Sequence, residues 1–415
     1  MIPDEENSAF NLAKAKALLP AQWPIWDHAF APEHQGQLPE DVIIFRESFD
    51  NLEPEAQLSG RHIEALRTEL KRAAAALDEL YKIADKPHGR FAVTYPKNFI
   101  SYSSSGADDT RQIARLLEYD ILLRCQDRNP DGALKSCQCL LHAQGAIGDE
   151  PYAISMLGRM AIRGSVCKKI ERTLAQGEPS AASLAAMQHL LEREATEPLY
   201  LIGMRGERGH YDGYLAALQS GDASLQDFRK AFGGRSPIED LQFRLFPGAA
   251  KANRAALLRY INQVVEFAKL PIEEQRARLT ATEPDANKLP SLAHDLAVNW
   301  RRTALAFHQN VAKVHCTALL LASERFRREH HRWPKRLEEL MPRYIAKVPA
   351  DPFADAGLRF RAIQDGIVIY SVGCDGEDNG GNLANYGVKP GTDMGVRLWN
   401  VAKRRQAPRP QVPNL

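Results

Sequence analysis

Residues 370–381 read Tyr370-Ser-Val-Gly-Cys-Asp-Gly-Glu-Asp-Asn-Gly-Gly381, where a β-rich apolar run ends in a loop crowded with carboxylates and glycines. Upstream of this loop, residues 358–362 alternate between apolar and polar side chains, and Gln364-Asp-Gly366 has the composition of a tight turn. Residues 367–372 then return as a second strand, and a third short run follows over 396–400. This part of the chain is therefore predicted to form a three-stranded antiparallel sheet.

The rest of the chain is predicted to be mainly α-helical. Apolar residues recur every three or four positions over 59–83, 110–145, 151–176, 180–195, 211–219, 247–268, 272–278 and 291–331. Within 110–145, the turn signal Asn129-Pro-Asp-Gly132 separates two helices, which form a hairpin with tetratricopeptide-like spacing. No second copy follows at a fixed period, which favours an irregular antiparallel bundle over a full helical repeat. The glycine-rich segment Arg205-Gly-Glu-Arg-Gly-His210 is predicted to be a loop.

These patterns divide the chain into four parts. Residues 1–60 are proline-rich and predict an extended N-terminal arm, with short helices near 8–18 and 40–50 and with Trp23, Trp26 and Phe30 as anchors. Residues 61–290 predict an α-helical domain. Residues 291–402 predict a small α+β domain in which a long helix precedes the sheet. Residues 403–415 predict a disordered tail that is rich in basic residues and proline.

Charge and hydropathy exclude several classes of protein. The chain has 54 basic and 52 acidic residues, and this near balance provides no general field for nucleic acid. No apolar run approaches the ~20 residues that a membrane span needs. The N-terminal sequence Met1-Ile-Pro-Asp-Glu-Glu-Asn has no basic or apolar signal region, so its literal interpretation is a cytoplasmic protein. A protein partner is expected, and the sequence does not indicate an oligomeric state.

The six cysteines form no Cys-x-x-Cys pair, which argues against zinc and thioredoxin-type sites. They are expected to be mainly buried free thiols. In an oxidising compartment, a disulfide from Cys125 to Cys137 or Cys139 across the helical hairpin is the alternative.

The acidic loop has the opening pattern of a calcium-binding EF-hand. Asp375, Glu377 and Asn379 stand at positions 1, 3 and 5, and Gly380 follows at position 6. Position 12 is Tyr386 where an EF-hand has a bidentate glutamate, and no flanking helices are predicted. An EF-hand is therefore excluded.

Two interpretations of the loop remain. Calcium needs six to eight oxygen ligands, and a different oxygen cage would draw them from backbone carbonyls and from Asp378, Asn382 or Asp393. Alternatively, the loop is a solvated hairpin connection in which aspartate, asparagine and glycine serve the turn geometry.

Residues 315–399 resemble the globular domain of the major pseudopilin of type II secretion. The matching motifs are Glu329-His-His-Arg-Trp-Pro334, Leu337-Glu-Glu-Leu340, Val348-Pro-Ala-Asp-Pro-Phe353, Tyr370-Ser-Val-Gly-Cys-Asp-Gly376 and Thr392-Asp-Met394. In that family the loop after the strand pair binds calcium, and the resemblance implies that Asp375 and Asp393 are among the ligands here. Cys374 stands where the family usually has proline. The resemblance thus adds calcium as an expected cofactor, with Asp375, Glu377, Asp378, Asn379 and Asp393 as the candidate site.

The helix before this region departs from a pseudopilin. A pseudopilin begins with a strongly apolar helix that packs into a filament, whereas here the corresponding helix is internal. It carries polar residues that a membrane or filament core would not accept, namely Arg301, Arg302, His308, Gln309 and Lys313. The chain as a whole resembles large uncharacterised bacterial envelope proteins. Because such proteins usually carry an N-terminal anchor, the resemblance implies a periplasmic or envelope location, with the anchor preceding Met1.

Catalytic motifs are scarce in the sequence. Glu207, His210 and Asp212 offer an acid, a base and a metal ligand within six residues, and they are the weak catalytic candidates. There is no Gly-x-Ser-x-Gly elbow, phosphate loop, His-Glu-x-x-His or dinucleotide fingerprint. The leading hypothesis is a non-catalytic envelope protein with a helical protein-interaction domain. The alternatives are a hydrolase with its site in the helical domain and a cytoplasmic helical adaptor.

Overall fold

The structure is a computed structural model that describes residues 2–28, 49, 52–93, 105–224, 226, 247–272, 274–275, 286–297, 300–384 and 389–408. The helices in these ranges are α1 (Ser8–Leu18), α2 (Ile25–His28), α3 (Gly60–Arg72), α4 (Ala74–Tyr81), α5 (Ser105–Gln126), α6 (Pro130–Gly145), α7 (Ala153–Gln176), α8 (Ala181–Ala195), α9 (Leu199–Ser220), α10 (Pro247–Ala268), α11 (Ser291–Ala297) and α12 (Trp300–His330). Short 3₁₀ helices cover Lys82–Asp85, Leu337–Leu340 and Val401–Lys403. The prediction of a mainly helical protein with a small antiparallel sheet is confirmed.

The hairpin of α5 and α6 forms as its turn signal predicts. The Asn129 side chain accepts a hydrogen bond from the backbone N–H of Gly132 and caps α6, and Pro130 occupies the first helical position. Apolar residues at helical spacing, such as Leu117 and Leu140, are fully buried where α5 packs on α6 and α7. Local capping and the apolar stripe therefore specify the same two helices.

Helix α12 connects the helical body to the sheet. It packs against α7 and α8 on the side of the body and against the second and third strands on the other side. As a result, Leu191 of α8 and Leu320 of α12 belong to the same buried cluster as Leu398 of the third strand. The predicted helix over 291–331 is seen as α11 and α12, and residues 298–299 between them lie outside the described residues.

The sheet is an antiparallel meander in the order β1 (Arg359–Ile363), β2 (Gly366–Ser371) and β3 (Met394–Trp399). Phe360 pairs with Ile369, and Ile369 pairs in turn with Val396. All six residues of the central strand β2 are buried. The three predicted strands are present, with boundaries shifted by one or two residues.

The predicted loop over 205–210 is wrong. These residues lie within α9, which is continuous from Leu199 to Ser220. A Cβ atom on Gly206 would lie 1.8 Å from the carbonyl oxygen of Pro151, so only glycine allows this close approach. The glycines therefore serve helix packing, and the sequence pattern that they share with loops is misleading here.

The N-terminal arm lies against the helical body through two tryptophans. Helix α1 agrees with the helix predicted near 8–18. The Trp23 indole N–H donates to the Glu69 carbonyl at 3.1 Å, and the Trp26 indole N–H donates to the Tyr119 hydroxyl at 2.9 Å. Phe30 and most of the predicted helix near 40–50 lie outside the described residues.

Residues 404–406, predicted to belong to a disordered tail, are instead ordered. The Arg404 guanidinium forms a buried ion pair with Glu324 of α12. Gln406 forms a parallel β-bridge with Ala56, and the Gln57 N–H donates to the Gln406 carbonyl at 2.9 Å. We call the junction of residues 53–57 with residues 404–406 the terminal seam. Residues 409–415 lie outside the described residues.

All six cysteines are free, so the alternative disulfide from Cys125 is not formed. Cys374 is exposed, and the other five thiols are buried. Among the described residues, no helix combines the length and the apolar character that crossing a membrane requires.

Candidate functional site

The acidic loop leaves β2 and returns to β3, and Asp351 supports its base. The carboxylate of Asp351 is fully buried and accepts hydrogen bonds from the Ser371 hydroxyl at 2.6 Å and from the Val372 N–H at 3.0 Å. It also accepts from the Phe353 N–H at 2.9 Å and pairs with Arg359 at 3.3 Å. Asp351 thus ties the segment before β1 to the end of β2, where the acidic loop begins.

Asp393 is the interior carboxylate of the loop, with an exposed fraction of 0%. Its Oδ1 accepts from the Asn379 N–H at 3.2 Å, and its Oδ2 accepts from the N–H groups of Gly381 at 2.7 Å and Asn382 at 3.2 Å. Burial raises the pKa of Asp393, although these three N–H groups act in the opposite direction. In the described part of the chain, no basic side chain forms an ion pair with this carboxylate.

Asp375 connects the two ends of the acidic loop. Its carboxylate accepts from the Gly391 N–H at 2.9 Å, the Glu377 N–H at 3.1 Å and the Asn379 side-chain amide at 3.4 Å. The N–H groups of Gly391 and Glu377 lower the pKa of Asp375. Because Asn379 contacts both Asp375 and Asp393, the structure brings these two predicted ligands into one hydrogen-bonded network. The Glu377 side chain is exposed.

Asp378 has a different environment. One of its oxygens lies 3.0 Å from the Arg359 Nε, and the other accepts from the Gly380 N–H at 2.9 Å and the Tyr370 hydroxyl at 3.1 Å. The Gly380 N–H is the main cause that lowers the pKa of Asp378, and Tyr370 and Arg359 add to it. Its cationic partner gives Asp378 a structural role at the base of the loop.

The loop fits a hard cation in donor chemistry and in charge. Asp375 and Asp393 offer carboxylate oxygens, and within the described ranges no basic side chain balances the buried carboxylate of Asp393. The described residues contain no group of three or more potential His, Cys, Asp or Glu ligands around one point. An ion held here would therefore take most of its oxygens from backbone carbonyls and water, as calcium does in flexible sites.

The three catalytic candidates serve separate contacts on α9. Glu207 is half-buried and accepts from the Ala153 N–H at 2.9 Å, which caps the start of α7, and desolvation raises its pKa. The His210 ring stacks on the Tyr152 ring with centroids 3.7 Å apart, and burial lowers the pKa of His210 to about 4. Asp212 pairs with Arg254 of α10 at 2.5 Å. The structure therefore explains each of these side chains by helix packing.

Sequence reasoning missed Asp351 and Arg359 as organisers of the loop. The signal for Asp351 is weak, because an aspartate between Ala350 and Pro352 is also typical of an exposed turn. Its burial depends on Ser371 and Val372, which lie about 20 residues further along the chain.

Comparison with known proteins provides no relative for this chain: no family model matches it, and no curated protein or solved structure does either.

Proposed function

We propose that this protein is a non-catalytic component of the bacterial cell envelope, with a helical body that binds partner proteins. Its C-terminal unit, which comprises α12, β1–β3 and the acidic loop, would be a pseudopilin-like domain of the type II secretion kind. The observation that carries the proposal is the acidic loop, in which the predicted ligands Asp375 and Asp393 share one hydrogen-bonded network over the strand pair. The pseudopilin-like motifs of the sequence support the same assignment.

The helical body supports a binding role over a catalytic one. The side chains of Glu207, His210 and Asp212 contact the start of α7, the Tyr152 ring and Arg254, respectively. A hydrolase needs its acid, base and ligand groups to converge on one substrate. We therefore favour the binding role over the hydrolase.

The proposed calcium site has a structural function. Asp375 and Asp393 would hold the ion, which supplies the positive charge that the buried Asp393 carboxylate lacks. With this charge balanced, the N–H groups of Asn379, Gly381 and Asn382 need not stabilise the carboxylate alone. The loop would then remain closed over the end of β2.

Calcium is expected to raise the melting temperature of the protein, and a chelator is expected to lower it again. At a calcium concentration about 100-fold above the dissociation constant, the gain in the free energy of unfolding is about 2.7 kcal/mol. The measurement is differential scanning calorimetry of the chelator-treated protein with and without added calcium, and magnesium serves as the control ion.

The test variant is Asp393→Asn, which removes the buried charge. The matched control is Asp365→Asn, which changes an aspartate in the β1–β2 turn; this aspartate pairs with Arg397 of β3. Asp393→Asn is expected to lose the calcium response, and Asp365→Asn is expected to keep it. A melting temperature that is the same in calcium and in chelator would exclude the proposed ion.

The proposed location is tested in the source cells. The natural gene product, expressed from its own promoter, is expected in the periplasmic or membrane fraction, because the envelope assignment requires export. Immunoblotting measures the distribution of the protein among the cell fractions. A cytoplasmic enzyme and a periplasmic enzyme serve as markers. Recovery with the cytoplasmic marker alone would favour the helical adaptor instead.

A further inference from the structure

Strand β1 forms one edge of the sheet, and some of its backbone groups have no hydrogen-bond partner in the described part of the chain. A two-residue turn between β1 and β2 makes Ile363 and Gly366 a hydrogen-bonded pair. Successive residues of a strand direct their N–H and C=O groups to opposite sides. The backbone groups of Phe360 and Ala362 therefore point away from β2, to the open side of the sheet.

The open side of β1 is accessible over the second half of the strand. Arg361 and Ala362 are exposed, and Phe360 is half-buried. Immediately before β1, the Leu358 N–H donates to the Pro349 carbonyl at 3.1 Å, so the chain itself covers the edge at that end. The part of the edge that remains is short, and an added strand would form a hydrogen-bonded pair with Phe360 and another with Ala362.

The side chains of β1 specify which strand fits. Phe360 packs against the main apolar core, and Ala362 lies on the same face of the sheet, so apolar side chains suit the positions opposite them. Arg361 lies on the other face. Its guanidinium donates to the Gly380 carbonyl, and within the described ranges no carboxylate pairs with it. An acidic residue directly opposite Arg361 would supply a negative charge where cross-strand side chains lie closest.

A second copy of this chain fits the edge less well than a different strand. The register in which Phe360 and Ala362 of two copies pair with each other places the two Arg361 side chains directly opposite each other. Like charges in that position destabilise a strand pair. A charged residue in a short edge strand is also a common protection against pairing between identical chains.

We propose that the edge of β1 binds an extended segment of a partner protein as an additional antiparallel strand, in which two apolar residues flank an acidic one. The backbone hydrogen bonds to Phe360 and Ala362 would hold the segment, and the acidic residue opposite Arg361 would provide specificity. This surface belongs to the C-terminal unit, so the inference goes beyond the partner binding proposed for the helical body.

The probe is a fluorescent peptide of about nine residues with Val-Glu-Val at its centre. One control peptide has lysine in place of the glutamate, and the other has N-methyl groups on both valines, which removes the N–H donors and keeps the side chains. Fluorescence anisotropy with the full chain measures binding, and hydrogen–deuterium exchange locates it. The probe is expected to protect residues 359–363 from exchange, and both controls are expected to bind at least about tenfold more weakly.

Ala362→Pro removes an outward N–H group and leaves the hydrogen bonds between β1 and β2 in place, because proline is tolerated where an edge strand faces solvent. It is expected to weaken binding of the probe by about tenfold or more. The matched control Ala362→Val keeps this N–H group and is expected to bind like the natural protein. Arg361→Glu is expected to reverse the preference, so that the lysine peptide binds more tightly than the probe. Circular dichroism checks that the variants remain folded.

Equal binding of the N-methylated peptide, or unchanged binding by Ala362→Pro, would overturn the proposal, because each lacks donors that the added strand needs. Binding without protection of residues 359–363 would place the peptide elsewhere and overturn it as well. Sedimentation of the natural protein is expected to show a monomer, and a dimer that Ala362→Pro dissociates would assign the edge to a second copy instead. The calcium measurement tests the acidic loop and the peptide measurement tests the edge of β1, so either one fails without affecting the other.

Discussion

Arg404→Met is expected to lower the free energy of unfolding by about 3 kcal/mol, because it removes the more deeply buried of the two arginines that pair with the buried carboxylate of Glu324 and leaves Arg327 as the remaining one. The Arg404 and Glu324 side chains are 3% and 0% exposed, and the Arg404 guanidinium contacts both carboxylate oxygens at 3.1 and 2.8 Å. Arg404 also donates to the Trp399 carbonyl at 3.0 Å, so methionine removes a link to the end of β3. Urea unfolding followed by circular dichroism measures the loss.

Two controls separate the buried charge from other effects of the substitution. Arg332→Met breaks an exposed pair with Glu339 and is expected to cost less than about 1 kcal/mol. The double variant Glu324→Leu with Arg404→Met removes both charges and is expected to recover most of the stability that the single variant loses. If Arg404→Met were no more costly than Arg332→Met, the ion pair would not stabilise the protein.

The same pair predicts a pH dependence. Burial alone raises the pKa of Glu324, but hydrogen bonds from Arg327 and Arg404 outweigh it, and the net pKa is lowered. A lowered carboxylate pKa stabilises the folded state above the ordinary value of 4.5, and this stabilisation is lost as the pH falls through the folded pKa. The difference in the free energy of unfolding between the natural protein and Arg404→Met should therefore decrease as the pH falls below 4.5.

Gly206→Ala is expected to lower the free energy of unfolding by about 3 kcal/mol, although alanine is the better helix former. The added Cβ atom would lie 1.8 Å from the carbonyl oxygen and 2.3 Å from the carbonyl carbon of Pro151. Both atoms belong to the backbone, so α9 must move away from the start of α7. That movement would also strain the hydrogen bond from Ala153 to Glu207 and the stacking of His210 on Tyr152.

The control for Gly206→Ala lies three residues further along the same helix. At Gly209 the added Cβ atom meets no heavy atom within 4 Å, and Gly209→Ala is expected to raise stability by about 0.8–1 kcal/mol through helix propensity alone. Thermal unfolding of both variants compares them directly. A stabilising Gly206→Ala would show that the two segments do not approach each other as closely as the structure indicates.

These glycines illustrate the limit of local patterns. Strong apolar periodicity and a clear turn signal were sufficient to predict the hairpin of α5 and α6 and the strands of the meander. The segment 205–210 has the glycine content of a loop, and its helical state depends on Pro151, which lies more than 50 residues away along the chain. A pattern read over a few consecutive residues carries no information about the contact between Gly206 and Pro151.

The same reason explains what was missed at the chain end and at the acidic loop. The segment around Arg404 has the composition of a solvated tail. Arg404 is ordered because it pairs with Glu324, which lies 80 residues earlier in the chain. Loop composition and family resemblance both point to Asp375 and Asp393 as calcium ligands, and that role stays a prediction. Asp351 was not predictable, since its role depends on the pairing that brings the end of β2 beside it.

The terminal seam has a consequence for synthesis on the ribosome. The Gln57 side chain donates to the Arg405 carbonyl, a contact between residues 348 positions apart. At typical elongation rates, roughly 20 to 70 s pass between the translation of Gln57 and the translation of Arg405. The first segment of the body thus emerges long before the last, and its backbone groups must meanwhile bind water or a chaperone.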